Sequence, residues 1–412
     1  VAGEHGLGRA RYGLAVAGGT AAEWAGAFPH NPFQAPVIID MTGDAAQLSA
    51  GLVEGHLDET TELVRLLRLA RLEIDQPDGV DWKREALASL RWQDLSREDL
   101  AMCPPLVLLG SDEMLAGRGL SQLIWLLNSG LPVKVLVLSA LHFGLLEAPT
   151  NDPRGSLGLL ALAQRNAFVA QTSVANPDHL GDSILQALAF DGPALIQAYA
   201  PSPAQHGFAS NQTVAQAQSA VAARVLPLFR YDPRGEGVFG SRISLDGNPA
   251  CEEALIKLDD SEQFLTPADW ARGQSRFDGQ FEPLGDKAPG PVALHEWLQL
   301  DDIGRVAKTP FIAASDDENE QRYSVSPALA RVSAQCLANW QTLQELAGLV
   351  TPFTAQVEEK IRAEVAAEHQ AELDAQKKAS DEQIREIQDK TQAEIAKNIR
   401  SRLLELASRK RN

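Results

Sequence analysis

Cysteine is scarce in this chain: Cys103, Cys251 and Cys336 are the only three in 412 residues. They form no C-x-x-C pair and no disulfide framework. They are also too scattered for a zinc or iron–sulfur site built by this chain alone. A reducing, cytoplasmic setting is the expectation that follows. Positive charge is short as well, with 37 Lys and Arg against 55 Asp and Glu, and a formal net charge of −18. Phosphate backbones and anionic lipid faces are bound by clustered cations, so the balance argues against nucleic acid and against a charged membrane surface. No apolar run is long enough to insert into a bilayer, and no charged n-region followed by an apolar core opens the chain. With Val1 where a methionine would stand, the expectation is a processed end or an interior point of a longer polypeptide. G-x-S-x-G, H-E-x-x-H and Walker patterns are all missing, and Gly6-Leu-Gly8 lacks the third glycine of a dinucleotide loop.

What remains is ordinary for a globular protein, at 44% hydrophobic and 22% charged residues. The length allows one large or two ordinary domains. Residues 10–53 are rich in Gly, Ala and Pro and end in a short apolar stretch containing PVIID. HLDETTELVRLLRLARLEI has apolar residues at helical spacing, with Asp58 or Thr60 as the expected N-cap. From Leu106 the pattern becomes strands alternating with helices. LVLLG and VKVLVL are continuous apolar runs of the kind buried on both faces, and AFVAQTSV and ALIQAYA add two more strands around the helix HLGDSILQALAF. Such repeats predict an α/β fold with a parallel sheet covered by helices, whose ligands sit at the carboxyl ends of the strands. Those ends are Gly110–Glu113, Ser139–Pro149 and Pro201–Gly207.

Beyond Arg234 the chain turns irregular up to about Glu320, rich in Gly, Pro and Asp; Pro327–Leu349 is helical and contains Trp340. Residues 357–409 lack Gly and Pro and are dense in Glu, Lys, Gln and Ala. Val357, Ile361 and Val365 recur at i, i+4, as do Ile395, Ile399 and Leu403, but Leu373, Ile384 and Ile387 break any strict heptad. The expectation is a long helix or helical hairpin that docks a partner, with homo-oligomerisation as the second option. The division expected is 1–240 as the α/β domain, 241–325 as an irregular accessory region and 326–412 as a C-terminal helical region.

Four stretches in the first 240 residues carry a family resemblance. Trp24-Ala-Gly-Ala-Phe-Pro-His-Asn-Pro-Phe33 is similar to a W-G-A-x-x-P-x-x-P-Y segment, and Asp44-Ala-Ala-Gln-Leu-Ser-Ala-Gly-Leu52 to a D-A-A-E-x-G-x-G-M helix start. Leu108–Gly130 aligns without gaps on G-G-D-G-W…L-x-S-G. Asp191–Tyr199 and Leu226-Pro-Leu-Phe-Arg-Tyr-Asp-Pro-Arg234 resemble P-S-L-I-I-A-Y and W-P-L-F-R-Y-D-P-R. The region thus resembles the thiamine-diphosphate-binding domain of pyruvate:ferredoxin (flavodoxin) oxidoreductases. The resemblance implies a thiamine-diphosphate-type parallel sheet flanked by helices, a magnesium ion held between an Asp and a downstream Asn, and a neighbouring iron–sulfur cluster.

The departures bear on chemistry. Asp112 keeps the first metal position, but the adjoining glycine is Glu113, whose carboxylate would repel a diphosphate. The Asn position falls on Leu145, which cannot ligate magnesium, and the paired glycines on Glu147 and Ala148. The cluster cysteines align with Thr20 and Ser202, neither of them a normal iron ligand. Gly110, Asp112 and Glu147 are therefore the vestigial cofactor-contacting positions, with no catalytic residue, no metal ligand and no cofactor expected in this chain. Asp112 read as an acid at a helix start needs no metal, and its loss is expected to cost a fraction of a kcal/mol, about 0.5. His142 and His206, at strand ends, have acid–base and structural readings, of which the structural is favoured. The resulting expectation is a degenerate, structural part of a larger redox assembly, partnered by its other domains or subunits. The alternative is an active thiamine-diphosphate- and magnesium-dependent 2-oxoacid oxidoreductase subunit with divergent metal ligands.

Overall fold

The computed structural model describes residues 12–25, 35–75, 81–145, 157–258, 263–285, 289–316, 319–350 and 354–409. Two compact units are present, Val1–Leu349 and Val350–Asn412. In the first, β1 (Gly13–Ala17) is followed by α1 (Thr20–Ala25), β2 (Val37–Asp40) and the 31-residue helix α2 (Ala45–Asp75). Two short helices, α3 (Asp81–Ala88) and α4 (Arg97–Leu100), precede β3 (Leu106–Ser111), a π-helical turn (Glu113–Arg118) and α5 (Leu120–Asn128). There follow β4 (Val133–Ser139), α6 (Leu157–Leu162), β5 (Phe168–Ser173), α7 (Pro177–Ala189), β6 (Ala194–Tyr199), α8 (Pro203–His206) and α9 (Thr213–Ala222). β7 (Phe229–Tyr231) and β8 (Ile243–Ser244) close one edge.

The eight strands run in the order β2-β1-β3-β4-β6-β5-β7-β8, parallel from β2 to β5 and antiparallel at β7 and β8. This is the expected α/β class, a mostly parallel sheet between helices. Every residue of β5 and β6 is buried, because α6 covers one face and α7 the other. The lysine inside apolar β4 is explained by its neighbours: Lys134 Nζ donates to the carbonyls of Phe190 (2.5 Å) and Gly192 (2.8 Å). β1, GLAVA, carries no bulky residue except Leu14 and Val16, yet Ala15 and Ala17 lie in the same core as α2 and α5.

α2 begins at Ala45, so Asp58 and Thr60 are helix-interior residues and not caps. The alanines after Asp44 are strong helix formers and carry the helix upstream. Its buried stripe, Ala46, Ala50, Val53 and Leu57, packs on the sheet, and the hydroxyls on that side bond back one turn, Ser49 to Ala45 O (2.7 Å) and Thr61 to Leu57 O (2.7 Å).

Residues 241–325, irregular by sequence pattern, hold a second core. β9 (Ile256–Lys257) pairs with β10 (Phe264–Leu265), followed by α10 (Pro267–Arg272). β11 (Phe281–Pro283), β12 (Pro291–Ala293), β13 (Thr309–Asp316) and β14 (Asn319–Val325) form a sheet in the order β11-β14-β13-β12, with α11 (Leu294–Trp297) and α12 (Asp302–Val306) between β12 and β13. Trp270, Phe277, Trp297 and Tyr323 fill this core together with Tyr199 of β6. α13 (Pro327–Leu346) joins the two cores: Leu329 and Ala330 pack in the second, Trp340 and Leu343 in the first. By its packing α13 thus belongs to the first unit, although the sequence pattern groups it with the C-terminal helices. The second unit is α14 (Thr354–Arg409), a 56-residue helix whose described side chains are all exposed. Among the described residues no helix is long and apolar enough to cross a membrane.

Candidate functional site

Between β1 and β3 the strand order reverses, since β1 continues to β2 on one side and β3 to β4 on the other. Open parallel sheets bind ligands in the crevice at such a point. Here side chains of the turn after β3 pack against the strand ends. Asp112 follows β3 directly and opens the π-helical turn Glu113–Arg118. The turn lays Leu115 against Gly110: a Cβ on Gly110 would stand 2.8 Å from Leu115 and 2.9 Å from the Ala17 side chain. Met114 covers the end of β1, where added Cβ atoms on Gly18 and Gly19 would lie 3.4 and 3.6 Å from it. Gly110, expected as a vestigial cofactor contact, and Gly18 and Gly19 thus each lie against neighbouring side chains.

Asp112 is 7% exposed, and both of its oxygens accept main-chain N–H groups. Oδ1 accepts from Glu113 (3.1 Å) and Oδ2 from Ala140 (3.1 Å), which ties the end of β3 to the loop after β4. Glu113 itself points to solvent. Asp40, at the end of β2, is used in a similar way. Burial works against its charge, but Thr42 Oγ1 (2.5 Å) and the amides of Thr42 (3.0 Å) and Gly43 (2.9 Å) outweigh this and hold its carboxyl below the usual range.

The loop after β4 is tightly held. Leu141, Phe143 and Gly144 have φ of 55°, 54° and 62°, a left-handed backbone that costs a non-glycine residue about 1–2 kcal/mol. Packing offsets that cost: Leu141 is buried in the second core, and Phe143 meets the Trp270 ring edge-on at 6.2 Å. Leu145, at the position where the resembled family places its Asn, packs on the same core, and its carbonyl accepts from Gln280 (3.3 Å). Glu147 lies outside the described residues, as does most of the motif beginning at Trp24.

His142 and His206, far apart in sequence, come together with ring centroids 6.2 Å apart. Arg276 donates to His142 Nδ1 (3.1 Å), and Tyr199 stacks on His206 at 6.5 Å. Burial, then Arg276 and His142, push the His206 pKa down to about 3; burial and Arg276 lower that of His142 too. A proton-transfer group works best near the operating pH, and His206, at about 3, lies well below it. Ser202 caps α8 and Thr20 opens α1, so neither stands in a cysteine cluster.

Beside Asp112 a partly enclosed cavity of about 310 Å³ runs beneath α13. Leu141, Phe143, Leu145, Leu157, Leu226, Val332, Cys336 and Leu343 line it, with Gln171 and Gln197 on the sheet side and Arg331, Gln335 and Asn339 along α13. Both sheet glutamines are engaged, Gln171 to Pro227 O (2.6 Å) and Gln197 to Ser139 Oγ (2.6 Å) and Gly158 N (2.9 Å). Burial pushes the Cys336 thiol up to about 12, so it is a protonated, apolar wall group.

Over 227 residues, 49% of its length, the chain is 26% identical to the pyruvate-flavodoxin oxidoreductase of Rhodospirillum rubrum. Over these stretches the chain is similar to pyruvate-flavodoxin and pyruvate:ferredoxin oxidoreductases. The match spans only 18% of the length of the Rhodospirillum oxidoreductase. A stretch of 79 residues, 19% of the chain, is 37% identical to the pyruvate:ferredoxin oxidoreductase of Moorella thermoacetica and covers 7% of it. A further 77 residues' worth of match, 34% identical, is to the mitochondrial pyruvate dehydrogenase [NADP(+)] of Euglena gracilis, over 18% of the chain and 4% of that protein. Among solved structures, a 2-oxoglutarate:ferredoxin oxidoreductase from Magnetococcus marinus aligns over 48% of this chain and 57% of its own, at 13% identity and a TM-score of 0.29. No protein-family profile matches the chain.

Where the resemblance places magnesium ligands and diphosphate, Asp112 accepts two main-chain amides, Leu145 is apolar and packs on the second core, and Leu115 lies against Gly110. Among the described residues no group of three or more His, Cys, Asp or Glu could hold a metal ion. Two residues of this region escaped the sequence reading, Arg276 and Arg331. Nothing in the sequence marks Arg276, whereas Arg331, Gln335 and Asn339 form a polar series at i, i+4, i+8 that a helical reading of Pro327–Leu349 could have found.

Proposed function

We propose that this chain is a 2-oxoacid:ferredoxin oxidoreductase-like domain that has exchanged thiamine diphosphate chemistry for a structural part in a larger redox assembly. The observation that carries this reading is the Asp112 carboxylate, joined through Ala140 N to the loop after β4. In the resembled family a metal ion would link those two loops; here the protein links them itself. Ferredoxin-type electron exit lacks support from the same direction, because Thr20 and Ser202 stand at the cluster positions. The low share of the Rhodospirillum relative that is matched, 18%, favours a domain working among others, and α14, a 56-residue helix whose described side chains are exposed, offers a surface for docking them. Three cysteines, none in a disulfide, suit a cytoplasmic setting.

The test is isothermal titration of the chain with thiamine diphosphate and magnesium, alongside pyruvate- and 2-oxoglutarate-dependent reduction of a viologen dye. The expected result is no saturable heat and no turnover. Saturable binding with turnover that Asp112→Ala abolishes in a folded protein would restore the active-enzyme reading.

A further inference from the structure

The cavity under α13 has a chemistry of its own. Its depth is apolar: Leu141, Leu226, Cys336 and Leu343 are all buried, and the two glutamines on the sheet side are already bonded to the protein. Its rim is polar and exposed, formed by Arg331 and Gln335 of α13. Arg331 makes no hydrogen bond or ion pair with any described residue, in a chain with 55 acidic residues against 37 basic ones. An apolar chamber with a few convergent polar groups is the general form of a small-molecule site, and about 310 Å³ falls at the small end of the usual range.

We infer that this cavity binds a medium-chain aliphatic monocarboxylate, the chain lying among Leu226, Val332, Cys336 and Leu343 and the carboxylate at Arg331. The polarity runs one way for two reasons. A guanidinium at a solvent-facing rim can form charge-assisted bonds to a carboxylate without full desolvation of either. Asp112 borders the cavity on the β3 side, and its charge turns an anionic head away from that end. α13 forms the cavity's wall while its two halves are fixed in different cores, so occupancy also braces the junction between those cores. The inference rests on the reading above in one respect, that thiamine diphosphate does not compete for the space beside Asp112.

The experiment is thermal unfolding of the full chain with octanoate, 1-octanol, acetate, or thiamine diphosphate plus magnesium, repeated with Arg331→Gln and Val332→Trp. A saturable rise in Tm with octanoate alone is expected. Arg331→Gln should weaken the apparent affinity by about tenfold or more, the value of a charge-assisted contact. Val332→Trp, which fills the chamber, should abolish the shift. No octanoate shift, an equal shift with octanol, or an undiminished shift in Arg331→Gln overturns the inference and leaves the proposed function standing. A saturable shift with thiamine diphosphate and magnesium overturns both.

Discussion

Arg224 and Trp340 share one acceptor. The guanidinium of Arg224 lies 4.3 Å from the centre of the Trp340 ring, and both side chains donate to Glu253 O, Arg224 at 3.3 Å and Trp340 Nε1 at 2.9 Å. Arg224, fully buried at the end of α9, also donates to Ala250 O (2.7 Å). Burial pushes its pKa down to about 10, with Cys251 and Glu253 acting the other way, so it stays charged at neutral pH. A desolvated cation over an indole face is worth about 2 kcal/mol or more, and this one fixes the C-terminal half of α13 over the sheet.

Arg224→Lys keeps the charge but loses the flat guanidinium that lies over Trp340 and whose Nη2 reaches both carbonyls. It should destabilise the chain by about 2 kcal/mol, and Trp340→Phe by about 1–3 kcal/mol, read as lower urea midpoints. The two losses should be less than additive in the double variant, because each partner is already impaired by the other's absence. Strict additivity would mean that the pair is not coupled.

Asp112→Asn separates the structural role from a catalytic one. The variant leaves one main-chain amide facing an NH2 group, so a loss of about 1–3 kcal/mol is expected, more than for the exposed helix-start acid that the sequence suggested. Amide exchange at Ala140 should accelerate in parallel. An unchanged midpoint would show that the bond to Ala140 carries no stability.

Acid should weaken the fold earlier than carboxylates alone would. Burial, with Arg276 and His142, holds His206 at about 3, and burial with Arg230 holds His179 at about 4, both from an ordinary 6.5. Between those values the unfolded chain binds protons that the folded chain refuses, so stability falls as pH drops from about 6.5 toward 4. Above 6.5 neither group contributes to the slope. Each can supply up to about 1.4 kcal/mol per pH unit in that window. His206→Gln should flatten the stability profile measured from pH 7.5 to 4.5; an unaltered slope would exclude His206 as a cause.

Truncation after Pro352 removes α14, whose apolar Val357, Ile361, Val365, Ile395, Ile399 and Leu403 are all about half exposed or more. The remaining chain should keep the unfolding midpoint of the first unit and lose whatever association the full chain shows by light scattering. If association persists without the helix, its docking role is wrong.

The sequence alone determined the parallel strands from β3 to β6, because LVLLG and VKVLVL are apolar runs of the kind buried on both faces, and AFVAQTSV and ALIQAYA are further strand-like stretches separated by a helical one. It also carried the resemblance to 2-oxoacid oxidoreductases and the departures from the resembled motifs at Glu113 and Leu145, since these are matters of residue identity. Tertiary structure decided the rest. β1 was hidden because GLAVA is too short and too small to signal a strand until α2 and α5 cover it. The sheet in 281–325 was hidden because two of its four strands are only three residues long, and one of them reaches its partner across a long sequence separation, Phe281 with Val325. The buried use of Asp112 could not be read locally at all: its second partner is the amide of Ala140, 28 positions away, and a main-chain donor leaves no mark in the sequence.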